Sequence, residues 1–192
     1  MIYYIVYFLT KFVSFLYFPR KIYGHEHIPR HGGFILACNH VSNLDPVVMG
    51  VSALRRINFM AKIELFQQQP LGFILKKLGA FPIKRGEADF GALKETVKRL
   101  KQGKPVLVFV EGTRRVGNAE PQAQPGVGFL AVKACVPVIP VRVDGTQNAM
   151  PQGSKSLVRN PVTVRFGAPV PVDPKQPYVE ISQSVLNAIY AL

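Results

Sequence analysis

The chain has 192 residues, a length that suits one domain with a sizeable core and leaves little room for two. Its 24 lysines and arginines outnumber 11 acidic residues and give a formal net charge of +13, so the surface should attract polyanions such as nucleic acid, anionic lipid headgroups or phosphorylated substrates. The two cysteines, Cys38 and Cys135, exclude a disulfide framework, and no spacing matches a zinc or iron–sulfur site, which indicates a reduced, cytoplasmic-side compartment.

Residues 1–18 are almost wholly apolar and aromatic, interrupted by Thr10 and Lys11. The segment lacks the basic start and the small-residue cleavage site of a signal peptide. As a helix it would be about 27 Å long, at the short limit for crossing about 30 Å of hydrocarbon. Its tyrosines and the following Arg20 and Lys21 favour the headgroup region, so we expect an interfacial or shallowly inserted helix. A membrane-spanning helix and a helix packed on the domain are the alternatives.

Beyond this segment, short apolar runs alternate with stretches of helical length and periodicity. Strands are predicted at residues 34–38, 57–61, 80–83, 105–110, 136–143 and 162–166. Helices are predicted at residues 46–54, 65–78 in two pieces, 88–101, 126–134 and 179–192. This alternation predicts an α/β fold with a mostly parallel central sheet flanked by helices. Residues 1–22 are then a membrane-associating N-terminal segment, and residues 23–192 form the domain.

Residues 39–46, with the sequence Asn-His-Val-Ser-Asn-Leu-Asp-Pro, lie between a predicted strand and a predicted helix, where α/β sheets usually place ligand sites. His40 can take a proton from an alcohol, and Asp45 on its other ring nitrogen would fix the tautomer. Positions five apart on a regular helix lie about 140° apart, so the pair meets only if His40 precedes the helix and a turn at Ser42 and Asn43 folds it back. The alternative is an N-cap at Asp45 and an ordinary loop histidine.

A second polar segment follows the strand at 105–110. The backbone N–H of Gly112, the hydroxyl of Thr113 and the guanidinium of Arg114 suit a phosphate. Glu111 should need a partner at the strand end, either an arginine or backbone donors. The alternative for the segment is a polar turn with solvated charges.

Four motifs in a fixed order resemble those of the glycerolipid acyltransferases, most closely the 1-acylglycerol-3-phosphate (lysophosphatidate) acyltransferase group. They are Asn39-His40-x-Ser42-x-x-Asp45-Pro46, Phe81-Pro82-Ile83-Lys84-Arg85-Gly86, Glu111-Gly112-Thr113-Arg114 and Val138-Ile139-Pro140-Val141. The lead-in Tyr23-Gly24-x-Glu26-x-Ile28-Pro29 is also similar, so the resemblance covers residues 23–145. The chain departs from the family pattern at Val110, where proline is frequent, and at Gln124, where a basic residue is usual.

The resemblance assigns roles to individual residues. It implies that His40 is the general base and Asp45 its orienting partner. It also implies that the acceptor's phosphate is held by Arg85, Glu111, Gly112, Thr113 and Arg114. Residues 23–192 would be an acyltransferase domain that uses no metal and no bound cofactor, with acyl-CoA or an acyl carrier protein as the acyl donor.

The implied activity is transfer of a fatty acyl group to the free hydroxyl of 1-acylglycerol-3-phosphate, giving phosphatidic acid in phospholipid biosynthesis. Glycerol-3-phosphate or another lysolipid is the alternative acceptor. The implied partners are the lysophospholipid acceptor, the donor and an anionic membrane surface, and the implied location is the cytoplasmic face of the cell membrane, as a peripheral or monotopic protein. A basic nucleic-acid-binding protein is the alternative from another class, but the basic residues are scattered and no aromatic-plus-basic recognition motif is present, so no nucleic-acid partner is expected.

Overall fold

A computed structural model of the chain describes residues 2–84, 89–114, 120–154 and 156–192. Its strands are β1 (Arg20–Tyr23), β2 (Ile35–Cys38), β3 (Asn58–Lys62), β4 (Ala80–Ile83), β5 (Val106–Phe109), β6 (Val138–Asp144) and β7 (Val162–Phe166). Its helices are α1 (Ile2–Tyr17), α2 (Asp45–Ser52), α3 (Ile63–Gln67), α4 (Leu71–Lys77), α5 (Phe90–Lys101), α6 (Gly126–Ala134), α7 (Thr146–Ala149) and α8 (Tyr178–Tyr190). A short 3-10 turn, His25–His27, follows β1.

The described strands form one seven-stranded sheet in the order β1-β7-β6-β2-β5-β3-β4. Neighbouring strands are parallel except for the antiparallel pair β6 and β7, which confirms the predicted α/β class with a mostly parallel sheet. The central strand β2 lies between β5 and β6, and Cys38 at its end is level with Phe109 and Val141. The loops that leave β2 and β5 therefore emerge side by side at one edge of the sheet, and β6 ends at the same edge, where ligand sites of such sheets lie.

The side chains of the central strands alternate between two hydrophobic clusters, one on each face of the sheet. Leu36 and Cys38 pack into the cluster that α2 covers, whereas Ile35 and Ala37 pack into the cluster formed with α5, α6 and α8. Since both faces are covered, these strands are apolar at every position, which explains why continuous runs rather than alternating patterns predicted them.

Helix α1 packs against α2 and α4, and its Ser14 is buried. Its other side exposes large apolar side chains: Tyr4, Ile5, Phe8, Leu9, Phe12, Phe15, Leu16 and Tyr17. None of the helices described here is both long enough and apolar enough to cross a membrane. The predicted N-terminal helix is thus present, and it combines a packed face with an exposed apolar face.

Strand β1 was not among the predicted strands, and it crosses the boundary between residues 22 and 23. Its four residues, Arg-Lys-Ile-Tyr, alternate between half-buried and exposed, because β1 is an edge strand with one neighbour, β7. An edge strand of this kind has no continuous apolar run, so the criterion that identified the central strands does not detect it.

Candidate active site

The loop after β2 begins at Asn39, whose side-chain amide continues the pairing of β2 with β6. Its Nδ2 donates to the carbonyl of Val143 at 2.9 Å, and its Oδ1 accepts from the N–H of Val143 at 2.8 Å. This buried two-bond contact fixes where the chain leaves the sheet, and His40 follows immediately.

His40 and Asp45 meet in the way that the sequence required. His40 lies before α2, and the ring Nδ1 is 2.8 Å from Oδ2 of Asp45. The same oxygen accepts hydrogen bonds from the N–H groups of Val41 and Ser42, each at 2.8 Å, so a tight turn brings the histidine back to the aspartate. The carboxylate of Asp45 does not cap α2, because Asp45 is the first residue of that helix and its side chain turns toward the preceding loop.

The second oxygen of Asp45 has a partner that the sequence did not indicate. Thr146, fully buried at the start of α7, donates its hydroxyl to Oδ1 of Asp45 at 2.6 Å. An ionised carboxylate can only accept hydrogen bonds, so with Asp45 ionised the proton of the imidazole lies on Nδ1. Nε2 then has its lone pair available for a proton from a substrate.

An aromatic ring on one face of the His40 imidazole helps to hold it in one orientation. The ring of Phe109, the last residue of β5, stacks on it with 3.8 Å between the ring centroids and an angle of 13° between the planes. His40 is only 4% exposed, although it lines a cavity that opens beside the loop. A ring held by both an aspartate and an aromatic face is preorganised for proton transfer.

Glu111 has a different environment from the one that the resemblance implies. Its Oε2 accepts from the backbone N–H of His40 at 3.1 Å, and its Oε1 accepts from the hydroxyl of Tyr190 at 2.7 Å. A buried carboxylate carries the same sign of charge as a phosphate and has no hydrogen to donate to it. In this structure Glu111 supports the His40 loop from behind, in agreement with the expectation that it would cap a backbone donor.

Of the other residues predicted to bind phosphate, Arg114 lines the cavity and Gly112 and Thr113 do not. Arg114 is half-buried and lines the cavity together with His40, whereas Thr113 is exposed. Gly112 has a left-handed backbone with φ of 70°, and its N–H donates to the carbonyl of Phe109 at 3.0 Å, so that donor is occupied by the turn itself. Arg85 lies outside the described residues.

The cavity beside His40 has a volume of about 600 Å³ and a mainly apolar wall. It is bounded by side chains of α1, α2, β3 and α4: Tyr3, Val6, Tyr7, Pro46, Val47, Val51, Phe59, Leu71, Leu75 and Leu78. Two cations, Lys62 and Arg114, also line it. The arrangement offers a space for a fatty acyl chain with positive charge beside the imidazole.

The described residues contain no group of three or more histidine, cysteine or acidic side chains that could hold a metal ion. Cys38 is fully buried near the site, and burial, followed by the charges of Asp45, Glu111 and Asp144, raises the pKa of its thiol well above the usual value. A thiol in this environment stays protonated and is a poor nucleophile.

Comparisons with known proteins show which proteins this chain resembles. A family model described as Acyltransferase matches residues 19–144. The 1-acyl-sn-glycerol-3-phosphate acyltransferase of Bacillus subtilis is 34% identical over 140 residues, which are 72% of this chain and 67% of that protein. The protein of the same name from Streptococcus pneumoniae is 31% identical over 160 residues, which are 81% of this chain and 57% of the relative.

A chloroplast acyltransferase of Brassica napus, whose name gives the same substrate, is 28% identical to this chain, and the match covers 42% of its length. This chain therefore spans only part of the length of several curated relatives. The crystal structure of the 1-acyl-sn-glycerophosphate (LPA) acyltransferase PlsC from Thermotoga maritima superposes with a TM-score of 0.83 at 25% identity, covering 98% of this chain and 77% of that one. The resemblance to glycerolipid acyltransferases is therefore confirmed. Thr146 and Tyr190 lie beyond the matched residues 19–144.

Proposed function

This chain belongs to the acyltransferase family, and we propose that it transfers a fatty acyl group to the free hydroxyl of 1-acylglycerol-3-phosphate, giving phosphatidic acid. The observation that carries the proposal is the position of the His40–Asp45 pair on the wall of an apolar cavity that also contains Arg114. The pair supplies a base, the apolar wall suits a fatty acyl chain, and the guanidinium suits a phosphate.

The proposed reaction is direct transfer in a ternary complex. Nε2 of His40 removes the proton from the acceptor hydroxyl as its oxygen attacks the thioester carbonyl of acyl-CoA or of an acyl carrier protein. Asp45, bonded to Nδ1, stabilises the imidazolium that forms. The tetrahedral intermediate expels the thiolate, and His40 returns the proton to it, so that an ester and a free thiol are the products. Assistance by a general base contributes about 10²–10⁴-fold to such a rate.

No covalent acyl-enzyme is part of the proposal. The nearest thiol, Cys38, is fully buried and has a raised pKa, and the hydroxyl of Ser42 donates to the carbonyl of Met150 at 3.2 Å. The acyl group therefore passes from donor to acceptor in one transfer, with His40 as the proton carrier in both directions.

The proposed location is the cytoplasmic face of the cell membrane, where the protein is peripheral or monotopic. Two features support it: the exposed apolar face of α1 and the net charge of +13, which together suit an interface rich in anionic lipid. Since α1 also lines the cavity through Tyr3, Val6 and Tyr7, a lipid acceptor would enter next to the helix that contacts the bilayer.

The test is an acyl-transfer assay with the purified protein, in which release of free thiol is followed with lysophosphatidate or glycerol-3-phosphate as acceptor. His40→Ala should lower kcat by about a hundredfold or more, and Asp45→Asn should lower it strongly, while both variants stay folded. His31→Ala is the matched control, because His31 is an exposed loop histidine outside the cavity. A His40→Ala variant with more than about a hundredth of the normal rate would rule out general-base catalysis at this position. Faster turnover of glycerol-3-phosphate would reassign the acceptor.

A further inference from the structure

A second cavity, of about 500 Å³, lies at the opposite edge of the sheet from His40. Asn58, Gly79 and Pro105, at the amino ends of β3, β4 and β5, form part of its wall. The two edges are at least the length of strand β5 apart, which is about 13 Å for its four residues at about 3.3 Å per residue. A group bound in this cavity cannot take part in the chemistry at His40, so the cavity is a separate site.

Five cationic side chains line this second cavity: Arg55, Arg56, Lys76, Arg99 and Lys104. Within the described parts of the chain, only Arg99 has an ion-pair partner, Glu95 at 2.7 Å. Cations gathered around one cavity repel each other, and that repulsion is relieved when an anion binds. These five cations contribute to the net charge of +13 and are separate from Lys62 and Arg114, which line the cavity beside His40.

Neutral groups hold Arg55 in place, and Arg99 contacts a neutral amide in addition to its ion pair with Glu95. Arg55 donates to the carbonyls of Pro29, Gly32 and Gly103 at 2.7–3.2 Å, and Arg99 donates to Oδ1 of Asn58 at 2.7 Å. Carbonyl and amide oxygens fix a guanidinium without cancelling its charge. Arg55 is therefore fixed at the cavity with its charge uncompensated among the described residues, while Lys76 and Lys104 are exposed and can close on a ligand.

We propose that this cavity binds a phosphate group at a site separate from the catalytic one. Phosphate is the anion that several fixed cations recognise best, since its oxygens accept from more than one guanidinium or ammonium group. The cavity adjoins α1, because the guanidinium of Arg56 stacks over the ring of Tyr3 with 4.5 Å to its centroid. The phosphate can accordingly come from the headgroup of an anionic phospholipid or from a soluble phosphate compound.

The experiment compares the wild-type chain with the double variant Lys76→Glu/Lys104→Glu. The matched control is Lys133→Glu/Lys175→Glu, which makes the same charge change at exposed lysines that line neither cavity. In one arm, inorganic pyrophosphate is titrated into each protein by calorimetry. In the other, binding is measured to phosphatidylglycerol vesicles and to phosphatidylcholine vesicles. Circular dichroism verifies that all three proteins are folded.

We expect the Lys76→Glu/Lys104→Glu variant to bind at least tenfold more weakly than the control in one of the arms. A loss confined to phosphatidylglycerol vesicles assigns the site to a lipid headgroup, and a loss with pyrophosphate assigns it to a soluble phosphate. Equal binding by the two double variants in both arms overturns the proposal. The result does not depend on acyl transfer, since neither arm measures turnover.

Discussion

The hydroxyl of Tyr190, near the end of α8, is joined to the backbone of His40 through a single carboxylate. Tyr190 donates to Oε1 of Glu111 at 2.7 Å, and the N–H of His40 donates to Oε2 of Glu111 at 3.1 Å. The guanidinium of Arg142 lies 5.5 Å from the centroid of the Tyr190 ring. It also donates a hydrogen bond to the backbone carbonyl of Tyr190 at 3.0 Å. Helix α8 thus supports the loop that carries His40, although Tyr190 and His40 are 150 positions apart in the sequence.

Tyr190→Phe removes only the hydroxyl and keeps the aromatic ring. Since it takes a hydrogen bond away from a buried carboxylate, we expect a loss of about 1–3 kcal/mol in the free energy of unfolding. We expect kcat to fall severalfold with KM for both substrates unchanged, because both oxygens of Glu111 are bonded within the protein and one of them holds the backbone of His40. Denaturant titration and steady-state kinetics measure the two effects. Tyr178→Phe, a half-buried tyrosine of the same helix, is the control. An increase in acceptor KM alone would place Glu111 on the substrate side instead.

Thr146→Val removes the hydroxyl that holds Oδ1 of Asp45. The change keeps the shape of the side chain, so the expected loss of kcat reports the orientation of the aspartate and not a cavity in the core. KM for both substrates should be unchanged, since Thr146 contacts Asp45 and does not line the cavity. Thr163→Val, at a half-buried position of β7, is the matched control. An unchanged kcat with a lowered melting temperature would mean that Thr146 serves the fold only.

Arg114→Lys tests the phosphate contact. A guanidinium holds a phosphate through two parallel hydrogen bonds, and an ammonium group cannot reproduce that geometry. We expect KM for lysophosphatidate to rise sharply, kcat to fall because the hydroxyl is less well placed, and KM for the acyl donor to change little. Each substrate is varied in turn, with the exposed Arg159→Lys as control. A defect concentrated in the donor KM would move Arg114 to the thioester side.

The buried thiol of Cys38 gives a prediction about pH. Its pKa is raised in the folded state by burial and by nearby carboxylates, so the folded chain retains the thiol proton to a higher pH than the unfolded chain does. The stabilisation is complete below the usual thiol pKa of about 8.5 and is lost as the pH rises above it, because the unfolded state then releases its proton first. The free energy of unfolding should therefore decline more steeply between about pH 8 and pH 10 in the wild type than in Cys38→Ala. Parallel curves would contradict the raised pKa.

The exposed face of α1 can be changed without touching the cavity. Phe8, Phe12 and Phe15 are each more than 60% exposed, and none of them lines the cavity. Replacing all three by serine should abolish binding to anionic vesicles and lower turnover of long-chain lysophosphatidate. Turnover of a short, soluble analogue should be retained, because the cavity wall from Tyr3 to Tyr7 is intact.

The control for this prediction is serine at three other exposed apolar positions, Leu54, Phe90 and Val179. Loss of activity on both acceptors, together with a lower melting temperature, would indicate that α1 contributes to folding and not to the membrane contact.

The sequence predicts the local parts of this molecule well. Strands β4 and β7 and helix α6 begin and end at the predicted residues, and the turn that joins His40 to Asp45 follows from a spacing within eight residues. Contacts between distant segments were not predictable in this way. Thr146 and Tyr190 have no motif around them, and only the packing of α7 and α8 against the sheet brings their hydroxyls to Asp45 and Glu111. The site residues can be recognised in the sequence by the chemistry of their side chains. The hydrogen-bond partner of each carboxylate depends on the tertiary structure.

One oxygen of Asp45 both closes the turn after His40 and binds the imidazole. A substitution of Asp45 should therefore loosen the turn after His40 as well as weaken the base, even in a variant that stays folded. The shape of this loop and the orientation of the imidazole thus depend on a single carboxylate oxygen.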